Sequence, residues 1–288
     1  MALSYVGVEK TQAELGQVLR PYQITGGDND DKSVTLVEVA NQAEKYGLLT
    51  YLRPNGDIEK LKKFIANNIP VITRTWLKKD EDVGHYRVIR GYDDKRGVII
   101  QDDSLQGKDL TYTYSDFDQL WQTFNYEYLV IVKEEEKETV EGILGEELNE
   151  QRAWENALTR VNQLLGNNPD NIHLKFARSR IYYYLKDYEK SVDDFDEVEN
   201  KLSFRTLWYQ IEPLLSIYET GDNERVLIVS DNILRNQNRA YSELYILRGK
   251  VFQRYGNETR ANEEFQLALR YNENLEEAKR LTLNNTGQ

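Results

Sequence analysis

No cysteine occurs among the 288 residues. That absence excludes disulfides and thiolate metal sites, and it leaves the redox compartment undetermined. No apolar run approaches the ~20 residues that span a bilayer, so a transmembrane helix is excluded. Met1-Ala2-Leu3-Ser4 runs straight into an amphipathic pattern with no basic segment before it, so these residues are not expected to be a secretory leader, which says little of a chain that begins further upstream. Cations are in deficit: 37 Lys and Arg stand against 49 Asp and Glu, a net charge of −12. The deficit is uneven, with −3 over residues 1–133 and −9 over residues 134–288. A surface this acidic repels phosphate backbones and anionic membranes, so nucleic acid is not an expected partner. No glycine-rich phosphate loop or paired-carboxylate motif is present, and no cofactor is expected.

What remains is a charged, globular chain of two-domain length, 30% charged and 40% hydrophobic. Residues 1–133 mix helix and strand signals. A helix is already under way at Met1 and ends near Gly7. A second runs from Thr11 to Leu19 and stops before Pro21. Thr35-Leu36-Val37-Glu38 reads as a capping box, opening a helix that runs to Tyr46 and ends at Gly47. Asp57 caps another helix, through about Asn67. Strands follow at Pro70–Trp76, His85–Tyr92 and Gly97–Gln101. The last two are joined by the turn-rich Asp93-Asp94-Lys95-Arg96, as in a β-hairpin. Leu110–Tyr114 alternates, Ser115 starts a short helix with Leu120-Trp121 on its apolar face, and Tyr126–Val132 is a last strand. Helices first and an antiparallel sheet afterwards predict an α+β domain.

Residues 134–288 carry helix signals only, after a charged linker or helix start at Glu134–Glu138. Self-similarity appears there with a period of 34 to 35 residues. Tyr245, Gly249, Phe252, Gly256, Ala261, Phe265 and Ala268 form the clearest copy. Lys175, Ser179, Tyr182, Lys186, Ser191, Phe195 and Val198 lie 70 residues earlier. Leu214, Ile217, Gly221, Val226, Ser230 and Ile233 fall between them, and Gly145, Ala157, Val161, Leu164 and Pro169 precede both. Small residues where paired helices touch, and aromatics between repeats, resemble the tetratricopeptide repeat, here over residues 138–285. Asn274–Leu283 reads as a terminal capping helix. The expected division is therefore an α+β domain over residues 1–133 and an all-α array over residues 134–288.

The chemistry-bearing stretch is Gly84-His85-Tyr86-Arg87-Val88-Ile89-Arg90-Gly91-Tyr92-Asp93, followed by Val98-Ile99-Ile100 and Asp102-Asp103-Ser104. A histidine opening one strand and an aspartate ending the next can supply a general base and the carboxylate that orients it. The bland reading is a polar strand-end histidine. With Gly107, these segments resemble the bacteriocin-processing (double-glycine) peptidase-like family, bacterial proteins of papain fold. Ile69-Pro70-Val71-Ile72 is similar to that family's first core strand, and the Phe117–Trp121 helix also corresponds. Met1–Gly7 is similar to the end of its nucleophile helix.

The resemblance implies catalytic roles for His85 and Asp103, with Asp103 fitting the family position better than Asp102. It also implies a nucleophilic cysteine in a Cys-Gly-Pro segment, about two helical turns before Met1. Two readings of its absence stay open, a shortened chain and a natural relic. The uncapped start of the first helix favours shortening.

Other signals weigh less. Asp28-Asn29-Asp30-Asp31 hints at calcium, but an EF-hand needs Gly and Glu where Ser33 and Val39 stand, so no metal site is expected. Asp80-Glu81-Asp82 is an acidic loop that borders the cleft in the family reading and would bias it toward basic peptides. His173, on a repeat helix, reads as structural. Tyr182-Tyr183-Tyr184 points in three directions on a helix. Two functions follow. One is a peptidase-like protein with a peptide-binding cleft and a protein-binding array, inactive over these residues for want of the thiol. The other is a non-enzymatic scaffold whose papain-like domain only binds or packs. Repeat-bearing relatives are often exported, so an exported or cell-surface location is implied by resemblance alone. Oligomeric state is not legible.

Overall fold

The computed structural model describes residues 1–22, 34–79, 81, 83–203 and 205–285. The elements follow in order: α1 (Ala2–Tyr5), α2 (Gln12–Leu19), α3 (Leu36–Glu44), β1 (Leu49–Arg53), α4 (Ile58–Ala66), β2 (Val71–Trp76), β3 (Gly84–Asp93), β4 (Val98–Asp103), β5 (Gly107–Thr113), α5 (Tyr114–Trp121) and β6 (Tyr128–Val132). Helices alone come after: α6 (Lys137–Leu144), α7 (Glu150–Asn167), α8 (Ile172–Tyr184), α9 (Tyr188–Asp196), α10 (Thr206–Tyr209), α11 (Glu212–Glu219), α12 (Asn223–Asn236), α13 (Ser242–Arg254), α14 (Glu258–Tyr271) and α15 (Glu276–Asn285).

Local chemistry fixes several of these ends. Thr35 accepts from the Glu38 amide while Glu38 reaches back to the Thr35 amide, the reciprocal cap expected of that sequence. Thr11 and Glu14 form a second such box at α2. Asp57 accepts from the Lys60 amide at 2.7 Å and opens α4.

The six strands form one antiparallel sheet in the order β1-β6-β2-β3-β4-β5. Strand β1 is an addition to the sequence reading, which assigned no strand to Leu49–Arg53. Alternation along the strands feeds two cores. Val71, Ile89, Ile99, Tyr128 and Val130 pack with Phe64 of α4 and Trp121 of α5. Ile72, Val88, Leu129 and Ile131 pack on the opposite face with Leu36 and Ala40 of α3 and with Leu3 and Val6 beside them.

By contacts the chain divides into two compact units. One holds residues 1–10 and 35–203, the other residues 11–34 and 204–288. The first therefore contains the sheet together with α6–α9. Arg160 stacks on the Tyr126 ring and donates to the Gly56 carbonyl at 2.7 Å. Asn125 donates to the Ala177 carbonyl at 3.1 Å. Arg180 of α8 meets Glu127, which precedes β6, at 2.9 Å, and both side chains are buried. Trp154 of α7 stacks on Tyr184 at 4.0 Å between ring centroids.

The repeat grammar has a direct structural counterpart. Lys186, Gly221 and Gly256, three positions 35 residues apart, all have positive φ, at 61°, 91° and 69°. Each ends the first helix of a hairpin, where the left-handed conformation turns the chain into the next helix. Within the pairs, small residues meet aromatics. A Cβ added at Gly249 of α13 would lie 2.2 Å from a ring carbon of Phe265 on α14. Ser179 holds the matching place on α8 and donates to the Ser191 carbonyl at 2.7 Å. These hairpins, one in the first unit and two in the second, are each of tetratricopeptide type. Among the described residues no helix is long and apolar enough to cross a membrane.

Gly249→Ala is expected to lower stability by about 1–3 kcal/mol through overpacking against Phe265, read from urea melts. Lys186→Gly is expected to raise it by about 0.5–1 kcal/mol by relieving an L-residue held left-handed, read by the same melts.

Candidate functional site

Strand β3 alternates, so His85, Arg87 and Ile89 share one face and Tyr86, Val88 and Arg90 the other. Ile89 belongs to the Trp121 core and Val88 to the Leu36 core, which sets the side from which His85 projects. Thr75 of β2 lies directly opposite His85 and Thr73 opposite Arg87. Strand β4 returns with Asp102 opposite Val88, which brings Asp103 beside Arg87.

His85 and Asp103 meet. Nε2 of His85 lies 2.9 Å from Oδ2 of Asp103, whose side chain has no exposed surface. The atoms are at ion-pair distance, but the ring N–H does not point straight at the oxygen. The other oxygen, Oδ1, accepts from the amides of Leu105 at 2.7 Å and Gln106 at 2.9 Å, an Asx turn that starts the β4–β5 hairpin. Burial pushes the Asp103 carboxyl upward, but the two amides and His85 outweigh it and hold the pKa below the ordinary value. Asp102 projects the other way: its Oδ2 accepts from Arg90 at 2.9 Å and its Oδ1 from the Asp109 amide at 2.9 Å. The choice between the two aspartates follows from strand alternation.

A third residue completes the cluster. Arg87 is fully buried, and its Nε lies 3.3 Å from the same Oδ2 of Asp103. Its guanidinium donates to the hydroxyl of Thr75, to the Trp76 carbonyl at 2.8 Å and to the Leu77 carbonyl. It also lies over the Tyr112 ring, 5.3 Å from the centroid. Burial draws the Arg87 pKa down, opposed by Tyr112 and Asp103. Sequence reasoning treated Arg87 only as part of the strand. The available signal was its parity: a cation two places from His85 and two from Ile89 must face inward, and a buried cation needs a carboxylate.

A cleft of about 390 Å³ is lined by Trp76, Lys78, Lys79, Tyr112, Asp116 and Leu120 among others. A smaller pocket of about 230 Å³ shares Trp76 and Gln122 with it and is also lined by Glu81, Asn171 and His173. His173 meets the Trp76 ring edge-on at 4.7 Å. Glu81 pairs with Lys78 at 3.1 Å, while Asp80 and Asp82 of the expected acidic loop lie outside the described residues. So does the Asp28–Asp31 segment weighed for calcium. Among the described residues no three His, Asp or Glu side chains converge as metal ligands would. The Met1–Gly7 stretch is helical over Ala2–Tyr5, and its Leu3 and Val6 pack on the sheet face opposite His85.

Residues 1–129 match the Peptidase_C39 like family. The matched region is α+β, and the helical region follows it. Among solved structures, a putative C39-like peptidase from Bacillus anthracis is similar at 19% identity and a TM-score of 0.36, covering 46% of this chain and 84% of that one. Two crystal structures of MamA are similar at 11% and 13% identity, each with a TM-score of 0.39. They cover 47% and 53% of this chain, and 88% and 87% of their own. No curated protein matches the chain.

Asp103→Ala would leave Arg87 buried without its carboxylate and is expected to cost about 3–5 kcal/mol at pH 7. Because the folded-state pKa of Asp103 is depressed, its contribution is fully present above the unfolded value of about 3.9 and is lost as pH falls through the lower folded value. The gap between the wild type and Asp103→Ala should therefore narrow below about pH 4, as urea melts at pH 7 and pH 3 would measure.

Proposed function

We propose that this is a peptidase-like protein in which residues 1–133 form a peptide-binding domain and residues 134–288 a protein-binding scaffold. The observation that carries the reading is the His85–Asp103 pair, 2.9 Å apart; Arg87, which shares Asp103, lies over the ring of Tyr112, one wall of a 390 Å³ cleft. His85 is the base and Asp103 its orienting carboxylate. With Nε2 turned to Asp103, Nδ1 is the nitrogen that would exchange a proton with a nucleophile. Residues 1–288 contain no cysteine and so supply no thiolate. The activity these residues carry by themselves is recognition. The cleft suits an extended peptide: Trp76, Tyr112 and Leu120 offer apolar contact, and Lys78, Lys79 and Asp116 offer charge.

A second reading has its own support. Arg180–Glu127 and Asn125–Ala177 tie the sheet to α8 inside one compact unit. These contacts favour a C39-like region that serves as a packed end for the repeats and binds nothing in its cleft. The acidic composition supports a peptide or protein partner over nucleic acid in either case.

Binding of a fluorescent peptide library to the full chain separates the two. Under the first reading, selected peptides bind, Trp76→Ala weakens them at least ~10-fold (about 1.4 kcal/mol), and mass spectrometry finds them uncleaved. Absence of binding, or binding indifferent to Trp76→Ala, would leave the scaffold reading.

A further inference from the structure

The segment just after α1 has an unusual allegiance. Residues 1–10 and 35–203 belong to the first compact unit, whereas residues 11–34 belong with residues 204–288. Helix α2 has no buried residue, and Val18 is 38% exposed. It is thus not a core element of the unit it joins. What holds it is a small set of directed contacts.

A helix end leaves its last carbonyls without partners. Here the array supplies the donors. Asn272, buried at the end of α14, donates to the Leu19 carbonyl at 3.1 Å. Asn274 donates to the Val18 carbonyl at 2.8 Å. The Asn272 side-chain oxygen in turn accepts from the Asn274 amide, which braces the pair. Beyond the helix end, Arg20 pairs with Glu243 at 2.8 Å. Pro21 fixes the backbone between them. The Tyr22 ring meets Tyr271 edge-on at 5.0 Å, and Tyr271 stacks on Tyr245 at 5.5 Å. Two amides read main chain, a carboxylate reads a cation and a tyrosine pair reads a ring. Without buried apolar side chains on α2, such a segment can be displaced at modest cost.

We propose that residues 11–22 are a tethered ligand of the surface formed by Glu243, Tyr245, Tyr271, Asn272 and Asn274. The partner this surface takes in trans is a peptide of the same chemistry: a helix end followed by a basic residue, a proline and an aromatic ring. The acidic balance of residues 134–288 complements that basic residue. This rests on the reading of the array as a protein-binding scaffold and names what it binds.

The test uses the full chain. A labelled peptide of residues 11–22 is titrated by fluorescence anisotropy into the wild type and into Arg20→Ala/Tyr22→Ala. A tethered segment competes at an effective concentration on the order of millimolar, so the peptide should bind the double variant at least ~10-fold more tightly than the wild type. Adding Glu243→Arg to the double variant should abolish that binding, and a peptide carrying Glu in place of Arg20 should restore it. Equal binding to the wild type and the double variant, or none to a double variant whose circular dichroism and melting are intact, overturns the inference. A peptide-display selection on the wild type separates the two levels. Selected peptides that need array residues other than Glu243, with residues 11–22 failing, overturn this inference and leave the scaffold reading standing. A selection that returns none dependent on the array overturns both.

Discussion

One buried guanidinium organises the peptidase-like end of the sheet. Arg87 has no exposed surface, and its nitrogens reach Asp103, Thr75 and the carbonyls of Trp76 and Leu77. A buried cation is tolerable only when a carboxylate and hydrogen-bond acceptors lie against it. That requirement fixes Asp103 as a carboxylate, and Asp103 in turn fixes the orientation of His85 and the Asx turn that starts the next hairpin. The same guanidinium tethers the exit of β2, where Trp76 and the two lysines that line the cleft begin. His85, Asp103 and Trp76 thus answer to one ion. The charge of Asp103 is also shared: it serves Arg87 as well as His85.

The array obeys a different constraint, close approach. Phe265 and Phe195 are fully buried, and the residues facing them across each helix pair must be small. Gly249 admits the ring of Phe265 by having no side chain, and Ser179 keeps a hydroxyl only because it finds the Ser191 carbonyl. The return turns repeat every 35 residues with positive φ. Packing and turn geometry therefore share one period, while the surfaces of the repeats are left to vary.

Much of this was legible in the chain. Thr35 and Glu38 announce a cap, Asp93–Arg96 a hairpin, and the spacing of Gly249, Phe265 and their counterparts a repeat, because each is a local rule expressed within a few residues or one period. His85 and Asp103 were legible as a pair because strand parity does not depend on the rest of the fold. Strand β1 was not, since Leu49–Arg53 is only five residues long and is separated by one residue, Leu48, from the Gly47 that ends the preceding helix signal. It becomes a strand by pairing with β6, more than seventy residues later. Arg87 was passed over because a lone cation in a strand is ordinarily solvent-facing. The allegiance of residues 11–22 could not be read at all: its partners, Glu243, Tyr271 and Asn272, lie more than two hundred residues away, and Asn–carbonyl contacts leave no compositional trace.

The order in which the chain visits its two compact units has a practical consequence. It leaves the first unit after residue 10, returns at 35 and leaves again after 203. No single cut in the backbone separates the units, and a fragment beginning at residue 134 would carry the repeats without the strand of chain that covers Tyr271 and Asn272. Such a fragment would present a face rich in tyrosine and asparagine that the intact protein keeps occupied, and its stickiness would say more about the cut than about the protein.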